Sequence, residues 1–426
     1  MFKGQPKGLF ALALANTGER FGYYTMLAIF LLFIQAKFGF SAAAATQIYS
    51  IFLAGVYFMP FFGGILADKI GYGKCVTIGI GVMFLGYLCL AVPTAADMTG
   101  KIMMFGALTL IAIGTGLFKG NLQVMVGNLY DDPKYSSRRD AAFSLFYMAI
   151  NVGSMFAPSM AKAMTNWSLG KYDLVYNANV PALAHQMMDG TITPENLANL
   201  QGIAATMPGA AGMDMAAFAP YYIERLSTAY NGGFAVACVS LVLSVLIYYG
   251  CRNWFKHADV NAKQAKAANP SAEVELTPAQ TKSRIGALIF VFAVVIFFWM
   301  AFHQNGLALT YFADEFTAKT SEGVQSMAFN VWNLVVVIIA VYAAFSAFQS
   351  ETKNGKITSW VVVLAAVAFL VYKALNVTGT VDVSAPIFQH FNPFYVVALT
   401  PVSLAIFGAL AKKGKEPSAP RKIAYG

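Results

Sequence analysis

Ten stretches of mostly apolar residues run through this chain, at roughly 9–34, 48–67, 75–93, 102–127, 142–164, 232–250, 285–311, 328–348, 357–377 and 391–411. Each comes close to the about 20 residues that a helix needs to cross a bilayer. In hydrocarbon the backbone must satisfy its own polar groups, so such a chain folds as a bundle of membrane helices. Of its 426 residues, 58% are hydrophobic and 12% charged. Soluble domains average about 45–50% apolar and about 25% charged. The expected class is all-α, a polytopic protein whose main partner is the lipid bilayer.

The stretches form two groups. Six end by residue 251, four begin after 284, and the polar segment 252–284 reads as a cytoplasmic linker. The basic residues orient the chain. Of 29 Lys and Arg, 20 fall on inner segments when the N-terminus is placed in the cytoplasm, and seven on outer ones. The net charge of +9 is thus a mark of topology, and no nucleic-acid partner is expected. A cell membrane location, inner in a double-membraned cell, follows from the same reading.

Residues 1–15 resemble a signal peptide, but the apolar sequence runs on to Ile34, so a first membrane helix is expected. The four cysteines, Cys75, Cys89, Cys238 and Cys251, lie in or beside apolar segments and read as small hydrophobes. The outer loop 165–231 carries a helix start, with Thr193 as cap, Pro194 in the first turn and Glu195 behind it. A small helical cap is expected there.

The two remaining cations, Arg20 and Lys119, lie inside apolar stretches, together with Glu19. Ionisable groups at that depth are costly and mark pathways. Asn16, Arg20 and Tyr23 fall at i, i+4 and i+7, one stripe of a helix, and Glu19 and Tyr23 are also i, i+4. Arg20 and Lys119 suit a substrate carboxylate, which arginine can hold with two bonds. Glu19 can take a proton or pair with either cation. No nucleophile elbow, Walker loop or metal spacing occurs, so an enzyme is not expected, nor any cofactor beyond protons as coupling ion.

Four runs carry a family likeness. They are G64-I-L-A-D68-K69-I-G71, N16-T-G-E19-R20-F-G-Y23-Y24, G114-T-G-L-F-K119-G-N121 with F143-S-L-F-Y147-M-A-I-N151, and F388-Q-H-F-N392-P393. The first resembles the signature of the major facilitator superfamily. Together they resemble the proton-dependent oligopeptide transporter family within it. The resemblance implies a major facilitator fold with a complete six-helix N-terminal bundle over 1–251. A truncated C-terminal bundle over 285–411 and a basic tail over 412–426 follow. Helices in 328–377 form an inserted hairpin of peripheral supports, and the residues after 415 lead, in the family, into the first of four core helices that are not in this chain.

The resemblance also implies roles. Glu19, Arg20 and Lys119 link proton movement to substrate binding. Arg20, Tyr23, Tyr24, Tyr57, Lys119, Asn151, Trp299 and Asn392 line a peptide pocket, and Asp68 gates the inner side by meeting a neighbouring helix end. The expected activity is proton-driven import of di- and tripeptides by alternating access, by a monomer. The chain departs from the family at Asn16 and Leu27, which stand for a glutamate and a basic residue, and at His303, which stands for a glutamate. Histidine titrates near neutral pH, so His303 serves either as proton switch or as a neutral hydrogen-bonding group. Two alternatives remain open: a symporter of a non-peptide anion such as nitrate or an organic acid, and a non-transporting membrane subunit or receptor.

Overall fold

A computed structural model describes residues 4–260, 277–306, 308–383 and 385–425. The long elements are helices α1 (Lys7–Phe38), α2 (Ala42–Ile70), α3 (Tyr72–Ala91), α4 (Met98–Asn128), α5 (Arg139–Gly170), α6 (Val180–Met188), α7 (Pro194–Ala205) and α8 (Met215–Gly250). After the linker come α9 (Pro278–Phe302), α10 (Ala308–Phe316), α11 (Val331–Gln349), α12 (Lys353–Leu375), α13 (Phe391–Lys412) and α14 (Ala419–Tyr425). Among the described residues, ten helical segments are long and apolar enough to cross a membrane. They correspond one to one with the ten apolar stretches. The fold is all-α.

The helix ends follow local chemistry. Gly39, at φ +66°, closes α1 in the left-handed region that favours glycine. Asp97 and Asp214 cap α4 and α8 by accepting from Gly100 and Ala217. Thr193 caps α7 by accepting from the backbone N–H of Asn196 at 3.2 Å, so the outer loop holds two short helices, as its sequence suggests.

The seventh stretch differs from expectation. The sequence suggests one helix over 285–311. Instead α9 starts earlier, where Thr277 and Gln280 form a reciprocal cap, and ends at Phe302. His303–Gly306 then tighten into a 3-10 turn before α10. The stretch expected over 357–377 also starts earlier. Thr352 accepts from Gly355 N–H and starts α12 at Lys353, so Lys353–Lys356 are helical. A short antiparallel pair, β1 (Thr320–Glu322) and β2 (Thr380–Asp382), was not foreseen, and it joins the chain before α11 to the chain after α12.

The protein divides into two compact units. One comprises Pro6–Ser137 and Phe156–Gln264, the other Met1–Gln5, Arg138–Met155 and Ala265–Gly426. In the first, α1 packs on α8, while α4 packs on both α2 and α3. In the second, α11 packs on α12 and α13. Helix α5 passes from one unit to the other after Met155. The expected linker 252–284 is partly described. Arg252–Ala258 form two short 3-10 turns, and 261–276 lie outside the described residues.

Candidate functional site

Glycines set the helix crossings in the first unit. A Cβ on Gly63 of α2 would lie 2.2 Å from the carbonyl oxygen of Gly116 on α4. The backbones are therefore in contact, which small residues permit between membrane helices. Asn121 fastens the crossing, its amide donating to the carbonyl of Gly63 at 3.2 Å and of Leu117 at 2.8 Å. Above this contact, Lys119 Nζ lies 4.6 Å from the centre of the Tyr57 ring. Such a cation–π seat holds an ammonium without neutralising it.

On α1, Gly18 and Gly22 lie against α8. A Cβ on either would meet a serine hydroxyl, Ser244 Oγ or Ser240 Oγ, at 2.4 Å. This close packing buries the two residues beside them, Glu19 at 0% exposure and Arg20 at 3%. Arg20 donates from Nε and Nη2 to the two carboxylate oxygens of Glu19. Its guanidinium lies 4.6 Å from the centre of the Tyr23 ring, and Tyr23 meets Tyr24 edge-on at 5.5 Å.

Lys119 is within electrostatic reach of both Arg20 and Glu19. Two cations thus face one carboxylate. A buried ion pair is expensive to break unless something replaces the lost partner. The arrangement has capacity for one further anion, and protonation of Glu19 would add room for another negative charge.

The other unit holds the remaining candidates. Asn151 is buried and its amide donates to the Tyr147 carbonyl at 2.9 Å. One turn further, the Met155 carbonyl oxygen hydrogen-bonds His390 Nδ1 at 2.7 Å. Asn392 follows, exposed, in the first turn of α13. The rings of Trp299 and His303 stack at 5.6 Å and 26°. So the structure brings Glu19, Arg20, Tyr23, Tyr24, Tyr57 and Lys119 together in one unit, and keeps Asn151, Trp299, His303 and Asn392 in the other.

Asp68 is exposed, and its carboxylate accepts from the Tyr72 hydroxyl at 3.0 Å. The start of α3 is held by a different acid. Asp259, after α8, accepts from Gly73 N–H at 2.7 Å and lies 4.0 Å from Arg252.

Residues 74–274 match the POT family. The uncharacterized transporter YclF of Bacillus subtilis is 28% identical over 96% of this chain and 83% of its own length. Dipeptide and tripeptide permease B of Salmonella typhimurium is 25% identical, over 99% of this chain and 70% of the permease. A solved structure of peptide transporter POT in complex with alafosfalin is 26% identical, covering 100% of this chain and 72% of that one, with a TM-score of 0.46.

The POT family is one of transporters, and its match covers α4, with Lys119, and the part of α5 that carries Asn151. Two tyrosines near the charged cluster escaped the sequence reading. Tyr49 lies two turns before Tyr57 on α2 and within electrostatic reach of Tyr24 and Tyr57. The i, i+8 spacing was its available signal. Tyr87 on α3, fully buried, lies within reach of Glu19 and Arg20. A lone tyrosine in an apolar stretch gives no such signal.

Proposed function

We propose that this chain imports di- and tripeptides by proton symport, using alternating access. The observation that carries this reading is the buried Glu19–Arg20 pair with Lys119 beside it, two cations around one titratable carboxylate. The identity to a dipeptide and tripeptide permease over nearly the whole chain supports it.

In this reading a proton from outside reaches Glu19 and frees Arg20. Arg20 and Lys119 then hold the peptide carboxylate. Arginine supplies two parallel bonds, and the lysine ammonium a point charge. Tyr23, Tyr24, Tyr49 and Tyr57 supply hydroxyls for the peptide backbone, a chemistry common to all peptides, so side chains are read weakly. Asn151, Trp299 and Asn392 are further candidate substrate contacts, with His303 as a second titratable group. Loss of the proton to the cytoplasm lets Glu19 recapture Arg20, which expels the carboxylate. Asp68 acts in gating at the inner side. The protein works as a monomer in the cytoplasmic or inner membrane, with its N-terminus in the cytoplasm and no cofactor besides protons.

The test is uptake of labelled dialanine into liposomes under an inward proton gradient. Accumulation that collapses with a protonophore is expected. No accumulation by folded, correctly oriented protein overturns the reading and directs the search to non-peptide anions.

A further inference from the structure

In the first half of α8, the Arg225 guanidinium lies 4.3 Å from the centre of the Tyr172 ring and 5.1 Å from that of Tyr221. Lys171, the residue before Tyr172, holds its Nζ 3.4 Å from the centre of the Trp167 ring at the end of α5. Two adjacent residues thus carry one cation and seat another. An aromatic face holds a cation without spending its charge or its N–H donors. The acid paired with Arg225 is Glu224, at 3.9 Å, too far for a hydrogen bond, and the Glu224 side chain is 69% exposed. Among the described residues, Arg225 Nε is one of three buried side-chain polar atoms with no hydrogen-bond partner. Such atoms are rare in folded proteins.

The backbone under these rings is fixed. Asp173 closes the end of α5 in the left-handed region, at φ +52°, and Leu174 N–H returns to the Leu169 carbonyl at 3.2 Å. Gly209 of the outer loop donates to the Asp173 carbonyl at 3.1 Å, and a Cβ on Gly209 would lie 2.0 Å from the Tyr172 carbonyl oxygen. Tyr222, next to Tyr221 on α8, donates to the Val175 carbonyl and accepts from Asn177 N–H, both at 3.0 Å. The end of α5, the outer loop and α8 therefore form one platform beneath the two cations.

The height of the platform follows from helix geometry. Arg225 lies seven residues before the apolar stretch 232–250, and Lys171 seven residues after the stretch 142–164. At 1.5 Å per residue each backbone stands about 10 Å beyond the hydrocarbon edge. The headgroup layer adds about 5–8 Å on each side, so long side chains reach it. Five turns of helix take 18 residues. Tyr221 therefore stands in line with Val239, and Arg225 with Leu243, and both of those apolar side chains are exposed. Trp167 is exposed as well. Aromatic rings are common at this level, whereas Lys and Arg are scarce on the outer side. Here two of the seven outer cations sit together.

We propose that this platform binds the phosphodiester of an anionic phospholipid in the leaflet away from the N-terminus. Arg225 donates to two phosphate oxygens, and Lys171 adds a point charge. The rings of Trp167 and Tyr221 pack against the glycerol and the first methylenes, and an acyl chain runs along Val239 and Leu243. A zwitterionic lipid offers the same phosphate, but its ammonium would meet two like charges. The bound lipid bridges α5 and α8 and, through the Gly209 contact, holds the outer loop on the bundle.

Native mass spectrometry of the purified full chain in detergent, titrated with phosphatidylglycerol and with phosphatidylcholine of the same acyl chains, tests this. The wild type should hold phosphatidylglycerol more tightly. Arg225→Gln and Lys171→Gln should each weaken phosphatidylglycerol binding about tenfold, as for loss of one charged hydrogen bond, and leave phosphatidylcholine binding unchanged. Arg225→Lys should fall between. Phosphatidylglycerol should raise the melting temperature of the wild type but not of the double variant, whose folding is read in phosphatidylcholine alone. Lys101→Gln removes another outer cation, one seated 5.4 Å from the centre of the Phe40 ring, and should bind phosphatidylglycerol like the wild type. Equal affinity of the wild type for the two lipids overturns the proposal, as does unaltered binding in the double variant or an equal loss in Lys101→Gln. Glycerol phosphate, which lacks acyl chains, should not displace the lipid. Displacement at comparable concentration would assign the platform to a soluble anion and also overturn the proposal.

Discussion

The carboxylate of Asp259 accepts the backbone N–H of Gly73 at 2.7 Å, tying the segment after α8 to the first turn of α3. The tie is reinforced by Asn128 at the end of α4, whose amide donates to the carbonyls of Ala258 at 3.0 Å and Val260 at 3.4 Å. Helix N-termini have free N–H groups and a positive dipole end, so an acid there both bonds and complements charge. Asp259→Ala should cost about 1 kcal/mol and lower the melting temperature in detergent by a few degrees. Asp259→Asn, which keeps an oxygen acceptor, should lose less. Equal stability of all three proteins would show that the tie is idle.

The cation–π seat of Lys119 makes a separable prediction. Lys119→Ala removes the charge, and proton-driven uptake should vanish while the protein stays folded. Tyr57→Phe keeps the ring face over which Nζ sits at 4.6 Å, so it should retain uptake in part. Tyr57→Ala should lose about 0.5–2 kcal/mol of support for the ammonium and most of the uptake. Undiminished uptake by Lys119→Ala would remove Lys119 from the mechanism.

Much of the fold was legible because membrane helices announce themselves by length and apolarity, one segment at a time. Ends were legible where a cap residue stood ready, as at Thr193, and not where the break was local, as at His303–Gly306. There the sequence stays apolar enough to read as one helix. In the site, Glu19, Arg20 and Lys119 could be found because charge is rare at that depth. Their bonding could not. The sequence left open whether Glu19 pairs with Arg20 or Lys119, and adjacent residues on a helix normally diverge, so only the structure shows Arg20 turned back onto Glu19. Asp259 lies far along the chain from Gly73, and sequence alone gave it no role.

The α2–α4 crossing can be tested with two neighbouring glycines. A Cβ on Gly63 would collide with the backbone of Gly116, whereas one on Gly64 meets nothing within 4 Å. Gly63→Ala should force the helices apart, costing about 1–3 kcal/mol and disturbing the seat of Lys119, with loss of uptake. Gly64→Ala should be neutral or stabilising by about 0.5–1 kcal/mol, because alanine is the better helix former. Thermal unfolding and dialanine uptake measure both. Similar behaviour of the two variants would mean that the crossing tolerates a wider spacing.

The last prediction concerns which group carries the proton. Glutamine at position 19 keeps an oxygen for Arg20 but cannot titrate. Leaving a buried guanidinium without its counter-charge is costly, up to about 3–5 kcal/mol when a partner is removed outright, and the retained amide oxygen should reduce that. Glu19→Gln should fold with a lower melting temperature and fail to accumulate dialanine under a proton gradient. It should still exchange dialanine across vesicles preloaded with it, since exchange needs binding and movement of the substrate but no net proton transfer. Arg20, no longer locked by a full charge, should then bind substrate with less dependence on external pH than the wild type. Persistent, steep pH dependence in Glu19→Gln would assign the proton to His303, whose ring is stacked on Trp299 in the other unit, and would reduce Glu19 to a structural counter-ion.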